Sequence, residues 1–179
     1  MANANTPFGF KPSSYLVGDT PHQLEIAVDS SNATSIGIGD PIILEADGNA
    51  ARMGAGATLS AIIGVAVGFM SSEKISLNYL PTLTAGYVKY VPVVGRNFVI
   101  QASASVAATD VGALADVSTG NANATTGISA FQLDSATIGN AGTPLRILGL
   151  SGEPDNAYGT NAKVIVEFPT SMFTSGTGV

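Results

Sequence analysis

Short runs in which apolar and polar positions alternate recur along this chain, and polar, glycine-rich segments separate them. Such alternation is typical of strands with one buried face, and no long segment shows the 3.6-residue period of an amphipathic helix. The pattern predicts strands at residues 22–28, 41–45, 62–70, 74–80, 87–94, 97–102, 128–133, 144–150 and 162–168. Residues 110–117 are expected to form a short helical turn or a loop, since Gly112 weakens their helical spacing. We therefore expect an all-β fold with a compact β-barrel or β-sandwich core, and the pattern does not choose between the two.

Turn residues predict how some of these strands connect. The Asp-Gly pair at 47–48 follows an apolar run, and this pair is a strong hairpin signal. The Gly-Arg pair at 95–96 separates the strands at 87–94 and 97–102, which predicts a second hairpin. Because proline cannot donate a hydrogen bond to a sheet, Pro92 restricts its strand to an edge or a bulge.

The two ends of the chain differ in composition from its middle. At 179 residues the chain has room for one core, and Pro7 and Pro12 favour extended backbone near the start. The last residues are polar and glycine-rich, as exposed termini often are. We expect an extended N-terminal arm at residues 1–20, a single β domain at 21–169 and an exposed C-terminal tail at 170–179.

The arm carries two aromatic residues in an otherwise polar segment. Phe8 and Phe10 flank Gly9, so both rings can lie on one side of an extended strand. The rings can anchor the arm on another protein, or they can fold back onto the core of their own chain. The sequence leaves both alternatives open.

Composition indicates a protein with few of the side chains that catalysis uses. Charged residues make up 11% of the chain, well below the usual fraction of about 25%. The net charge of −6 and the scattered basic residues argue against a nucleic-acid partner, because phosphate binding needs clustered lysine and arginine. A low surface charge favours a chain that covers much of its surface with protein partners.

The chain lacks the residue patterns of the common catalytic and metal sites. His22 is the single histidine, no cysteine is present, and no G-x-S-x-G nucleophile elbow occurs. We therefore expect no enzyme activity, no catalytic residue, no cofactor and no metal site. The carboxylates of Asp110, Asp116, Asp134 and Asp155 lie in predicted loops, but their spacing does not support an ion site. The apolar run ending at Met70 is too short to span a membrane, so no membrane partner is expected.

Several segments together resemble a known class of proteins. The opening MANANTPFGFKP at 1–12, with GDP at 39–41, ADG at 46–48, IGVAVG at 63–68 and DVGALAD at 110–116, forms a spaced pattern that continues to PLRILGL at 144–150 and PDNAYG at 154–159. This pattern covers most of the chain and resembles the capsid decoration, or cement, proteins of tailed bacteriophages. No single segment is specific to them.

The resemblance implies a function and a set of partners. Such proteins bind the outer surface of the capsid and stabilise the shell, often as trimers. It therefore implies a virion location, the major capsid protein and other copies of this chain as partners, and an arm that reaches over capsid subunits. We nominate Phe8, Phe10, Lys11 and Pro12 as contact residues, and expect that deletion of residues 1–12 weakens capsid binding while the core still folds. The alternatives are a head fibre, spike or tail component, or a glycan-binding or hydrolytic module.

Overall fold

The structure is a computed structural model that describes residues 3–13, 22–54, 62–141 and 143–169. Nearly all of its regular structure is β, which confirms the predicted all-β class. The strands are β1 (Lys11–Pro12), β2 (Leu24–Val28), β3 (Pro41–Leu44), β4 (Ala50–Arg52), β5 (Ile62–Ser71), β6 (Ser76–Leu77), β7 (Gly86–Pro92), β8 (Asn97–Gln101), β9 (Ser105–Val106), β10 (Leu114–Ser118), β11 (Gln132–Asp134), β12 (Leu145–Leu150), β13 (Gly159–Thr160) and β14 (Lys163–Glu167). Two short 3₁₀ turns, at Ala108–Asp110 and Ser135–Thr137, follow β9 and β11.

The strands form two large antiparallel sheets. Sheet I has the order β2-β7-β5-β3-β4, with β6 added beside β5, and sheet II has the order β1-β8-β14-β12-β10-β11. A parallel bridge between Ala102 and Leu133 connects the chain just after β8 to β11 at the far side of sheet II. Sheet II therefore curls back on itself around its buried side chains.

Two clusters of buried apolar side chains pack against the faces of the sheets. The main core fills sheet II and extends to one face of sheet I, while the second core covers the other face of sheet I. Strand β5 contributes to both, because Ile62 and Val65 lie in the main core and Ile63 and Phe69 lie in the second. This double burial explains why β5 reads as an almost continuous apolar run.

The expected hairpin at 47–48 is confirmed, and the one at 95–96 is wrong. Strands β3 and β4 pair with each other, and Gly48 has the positive φ of 86° that such a turn requires. Strands β7 and β8 do not pair, because β7 belongs to sheet I and β8 to sheet II. Pro92 ends β7 without an N–H to continue its ladder, and Gly95 turns the chain with φ of 65° into the other sheet.

Two further local expectations were wrong. The strand expected at 74–80 is reduced to the two residues of β6, and Ile75 is exposed instead of facing the core. The segment at 110–117, expected as a turn or loop, contains strand β10, whose Ala115 and Val117 face the main core. In both segments, the extent of the strand follows from pairing with neighbouring strands and not from the local propensity of the residues.

Candidate functional site

An apolar groove opens beside the arm, where sheets I and II meet. It encloses about 580 Å³ and is lined by Phe8, Phe10, Lys11, Pro12, Ile38, Ala66, Val67, Ile128, Glu153 and Lys163. All four contact residues nominated from the sequence therefore border the same cavity. Grooves lined mainly by apolar side chains with a few polar groups at the rim are the usual form of binding sites.

Two isoleucines that line the groove are unusually exposed for large apolar side chains. Ile38 is 42% exposed and Ile128 is 41% exposed, and the two are neighbours across a short parallel bridge. Large apolar side chains exposed next to each other in a concavity often mark a site where another protein docks. The groove therefore has the chemistry of a contact surface for an apolar partner.

The rim of the groove carries charge of both signs. Lys163 forms an ion pair with Glu153, so this lysine is already neutralised locally. Lys11 is exposed and has no ion-pair partner among the described residues. One positive charge at the rim is thus available to an acidic group of a partner.

The start of the arm is fixed by hydrogen bonds from its side chains and backbone. The Asn3 side-chain amide donates to the carbonyls of Ala157 and Thr160, at 2.9 Å each, and its oxygen accepts from the Ala157 amide. Asn161 in turn donates to the carbonyl of Asn3 at 3.4 Å. The loop around β13 therefore holds the first described residue of the arm in place.

Gln101, at the end of β8, is fully buried and binds the arm backbone. Its Nε2 donates to the carbonyl of Ala4 at 2.9 Å, and its Oε1 accepts from the amide of Thr6 at 3.1 Å. One amide side chain thus satisfies both a donor and an acceptor of an extended peptide, as a neighbouring strand would. Because the Gln101 amide is buried, its donor and acceptor would be costly to leave unpaired if the arm were removed.

A sharp turn at Gly9 directs the arm into the protein. Gly9 has φ of 69°, and a Cβ at this position would overlap the Ser129 side chain and the Gly39 carbonyl. The Phe10 amide donates to that same carbonyl at 2.8 Å. The arm is therefore not uniformly extended, and only glycine fits at its turn.

Phe10 lies in the main core, at 2% exposure. Its ring meets Phe98 edge-on, with centroids 6.2 Å apart, and packs at a tilt against Phe168 at 5.2 Å. Of the two alternatives that the sequence left open for this ring, the structure shows packing on its own chain. Phe10 forms the inner wall of the groove and does not offer its ring to a partner.

Strand β1 adds to the chain's own sheet by pairing with β8. The burial of Phe10 also changes one sequence-based expectation about the arm. Deletion of residues 1–12 would take Phe10 out of the core, so such a deletion is expected to unfold or strongly destabilise the protein. Phe8, Lys11 and Pro12 remain partly or fully accessible.

A buried carboxylate, Asp40, lies two residues after Ile38 of the groove. Asp40 is fully buried, and its Oδ2 accepts from the Gly37 amide at 2.7 Å. Burial raises the pKa of Asp40 to about 6, and the Gly37 amide, the Ser129 hydroxyl and the Arg52 charge oppose this shift without cancelling it. Its Oδ1 and the Nε of Arg52 have no hydrogen-bond partner among the described residues.

Backbone hydrogen bonds connect the segment that ends at Asp40 to two other parts of the fold, the loop at 127–129 and strand β5. The Ile38 amide donates to the Gly127 carbonyl, and the Ile38 carbonyl accepts from the Ser129 amide. The amides of Gly39 and Ala66 bond to the carbonyls of Ala66 and Asp40 respectively. The groove wall thus depends on the conformation that Asp40 holds.

The other residues that the sequence analysis considered for catalysis or ion binding do not form a site. His22 is exposed at the start of the described β domain. Asp116 faces Asp134 across the β10–β11 pair, and both, like Asp110, accept hydrogen bonds from nearby backbone amides. The described residues contain no group of three His, Cys, Asp or Glu side chains that could hold a metal ion. Within the same ranges, no helix is long and apolar enough to cross a lipid bilayer.

Comparison with known proteins identifies no family for this chain. No protein-family model matches it, and no curated protein matches its sequence.

Sequence reasoning missed the part of the site that lies outside the arm. Ile38 lies in a segment with no strand pattern, and Ile128 begins the strand expected at 128–133, of which the structure keeps only Gln132–Asp134. Their neighbourhood depends on long-range pairing. The sequence did not predict that Gln101 is buried against the arm, since a glutamine at the end of a strand is ordinarily exposed.

Proposed function

We propose that this protein is a structural component of a bacteriophage virion that binds the outer surface of the capsid and stabilises the shell. Copies of the chain associate with one another, and the major capsid protein is the partner. The observation that supports this proposal is the apolar groove, because Phe8, Lys11 and Pro12, nominated from the resemblance, border it together with two exposed isoleucines. The groove is the surface that takes the capsid partner.

The chemistry of the groove suits a lattice partner that presents an apolar segment. Burial of apolar surface contributes about 25 cal/mol per Å², so covering Ile38, Ile128 and Phe8 gives a useful but modest affinity per copy. Many copies on one shell add their contributions, and binding only to the assembled lattice stabilises that lattice. A modest contact is therefore sufficient for a cementing role.

Polar replacement of the groove isoleucines should reduce capsid binding and leave the fold intact. We expect the double variant Ile38→Ser/Ile128→Ser to bind emptied phage heads about tenfold more weakly, since it loses the apolar surface that the partner covers. The measurement is co-sedimentation with heads of the phage that encodes the chain, over a range of protein concentrations.

A matched control comes from Ile75, which is 60% exposed and does not line the groove. Ile75→Ser makes the same chemical change on another surface and should bind heads as the unaltered protein does. Equal binding by the groove variant and by Ile75→Ser, with both folded by circular dichroism, would remove the groove from the proposal.

A further inference from the structure

We infer that the ionised carboxylate of Asp40 positions the groove walls at Ile38 and Ile128, and that capsid binding therefore weakens when this carboxylate takes up a proton. Asp40 is not among the residues that line the groove, so it acts through the residues beside the two isoleucines. The inference rests on the proposed function and adds how binding at the same groove is regulated.

Asp40 interacts with both segments that carry the exposed isoleucines. Its Oδ2 accepts from the amide of Gly37, the residue before Ile38, at 2.7 Å. The hydroxyl of Ser129, which follows the second isoleucine, also favours the ionised carboxylate. The two segments meet directly, because the Ile38 amide donates to the Gly127 carbonyl at 2.7 Å and the Ser129 amide donates to the Ile38 carbonyl at 2.9 Å. One buried carboxylate thus acts on both sides of this junction.

The strength of these interactions depends on the charge of the carboxylate. A hydrogen bond to an ionised carboxylate is about twice as strong as one between neutral groups. Arg52 adds an attraction that favours the ionised form. The Arg52 guanidinium also donates to the Gly120 carbonyl at 2.9 Å and lies 5.5 Å from the centre of the Phe131 ring, so it contacts both ends of the loop that carries Ile128. Protonation of Asp40 therefore weakens its interactions with both groove walls.

The surroundings of Asp40 allow its charge to change under mild conditions. The side chain is fully buried, and its Oδ1 has no hydrogen-bond partner among the described residues. An ionised group that is only partly satisfied is costly to bury, which favours uptake of a proton. Within the described part of the chain, Arg52 of β4 is the one charged side chain that acts on it. Strand β5, the segment 8–10 and the loop 119–131, which contact residues 37–40, contain no ionisable residue.

The test is co-sedimentation with emptied phage heads at pH 7.5 and at pH 5. With a pKa of about 6, Asp40 is almost fully ionised at the higher pH and about one-tenth ionised at the lower, so the affinity of the unaltered protein should fall about tenfold. Asp40→Asn cannot ionise. It should bind at pH 7.5 as weakly as the unaltered protein binds at pH 5, and its affinity should be the same at both pH values.

Asp47→Asn is the matched control, because it removes the same charge from an exposed turn outside the groove. The resulting Asn-Gly pair keeps the hairpin signal of the original Asp-Gly pair. This variant should show the tenfold fall of the unaltered protein. A fall that Asp40→Asn shares would come from the heads and would overturn the role of Asp40, and so would equal binding of the unaltered protein at the two pH values.

Amide hydrogen exchange in the free protein tests the positioning role without heads. The protection factors of the Ile38 and Ser129 amides, whose bonds join the two walls, should be lower at pH 5 than at pH 7.5. Equal or higher protection at pH 5 would refute the positioning role alone, whereas absence of head binding at both pH values would refute the proposed function. The exchange measurement uses the unaltered protein, so it decides the matter even if Asp40→Asn does not fold.

Discussion

Replacing Phe10 with alanine is expected to lower the free energy of unfolding by about 3–5 kcal/mol. The ring is fully enclosed between Phe98 and Phe168, so its removal leaves a cavity in the main core and detaches the arm from its anchor. Since small domains are stable by about 5–15 kcal/mol, this is a large fraction of the total. Urea denaturation followed by circular dichroism measures the change.

Phe8→Ala is the matched control, because it removes the same side chain two residues away. Phe8 is only half-buried at the groove, so its loss should change stability much less than the loss of Phe10. If the two variants lost equal stability, the assignment of Phe10 to the core and of Phe8 to the groove surface would be wrong.

Mild acid is expected to stabilise the protein through Asp40. Its pKa is about 6 in the folded protein against 3.8 for the ordinary carboxyl, so the folded state holds the proton more tightly than the unfolded state. The stabilising contribution is complete below pH 3.8 and is lost as the pH rises through 6. From pH 7.5 to pH 5 this group alone should add about 1 kcal/mol to the free energy of unfolding.

Asp40→Asn tests the origin of that dependence. The asparagine oxygen can still accept from the Gly37 amide but does not ionise, so the variant should lose this part of the rise in stability between pH 7.5 and 5. Asp155→Asn makes the same chemical change at an exposed site and serves as the matched variant. A profile unchanged by Asp40→Asn would show that this carboxyl does not titrate between those two pH values.

The sequence predicted the strands better than their arrangement. Alternation located β2, β12 and β14 within a few residues, because each has one face packed on a core, and a continuous apolar run located β5, which is buried on both faces. The turn after Pro92 looked like a hairpin, yet it carries the chain from one sheet to the other. A short turn is the same local signal in both cases, and only the long-range partners of β7 and β8 distinguish them.

The candidate site was predicted in part for a similar reason. The arm residues stood out because aromatic rings in a polar, proline-containing segment are unusual. Which ring would be buried depended on the turn at Gly9, whose positive φ separates Phe8 from the main-core position of Phe10. The opposite wall brings Ile38 and Ile128 together from two distant segments, and no local pattern predicts that they meet.

The measurement that tests the central claim most directly is sedimentation of the unaltered protein with emptied phage heads. We expect the protein to bind saturably, with a fixed number of copies for each shell, and we expect no competition from free capsid subunits. A protein that stays in the supernatant at every concentration would contradict the proposed capsid-binding role.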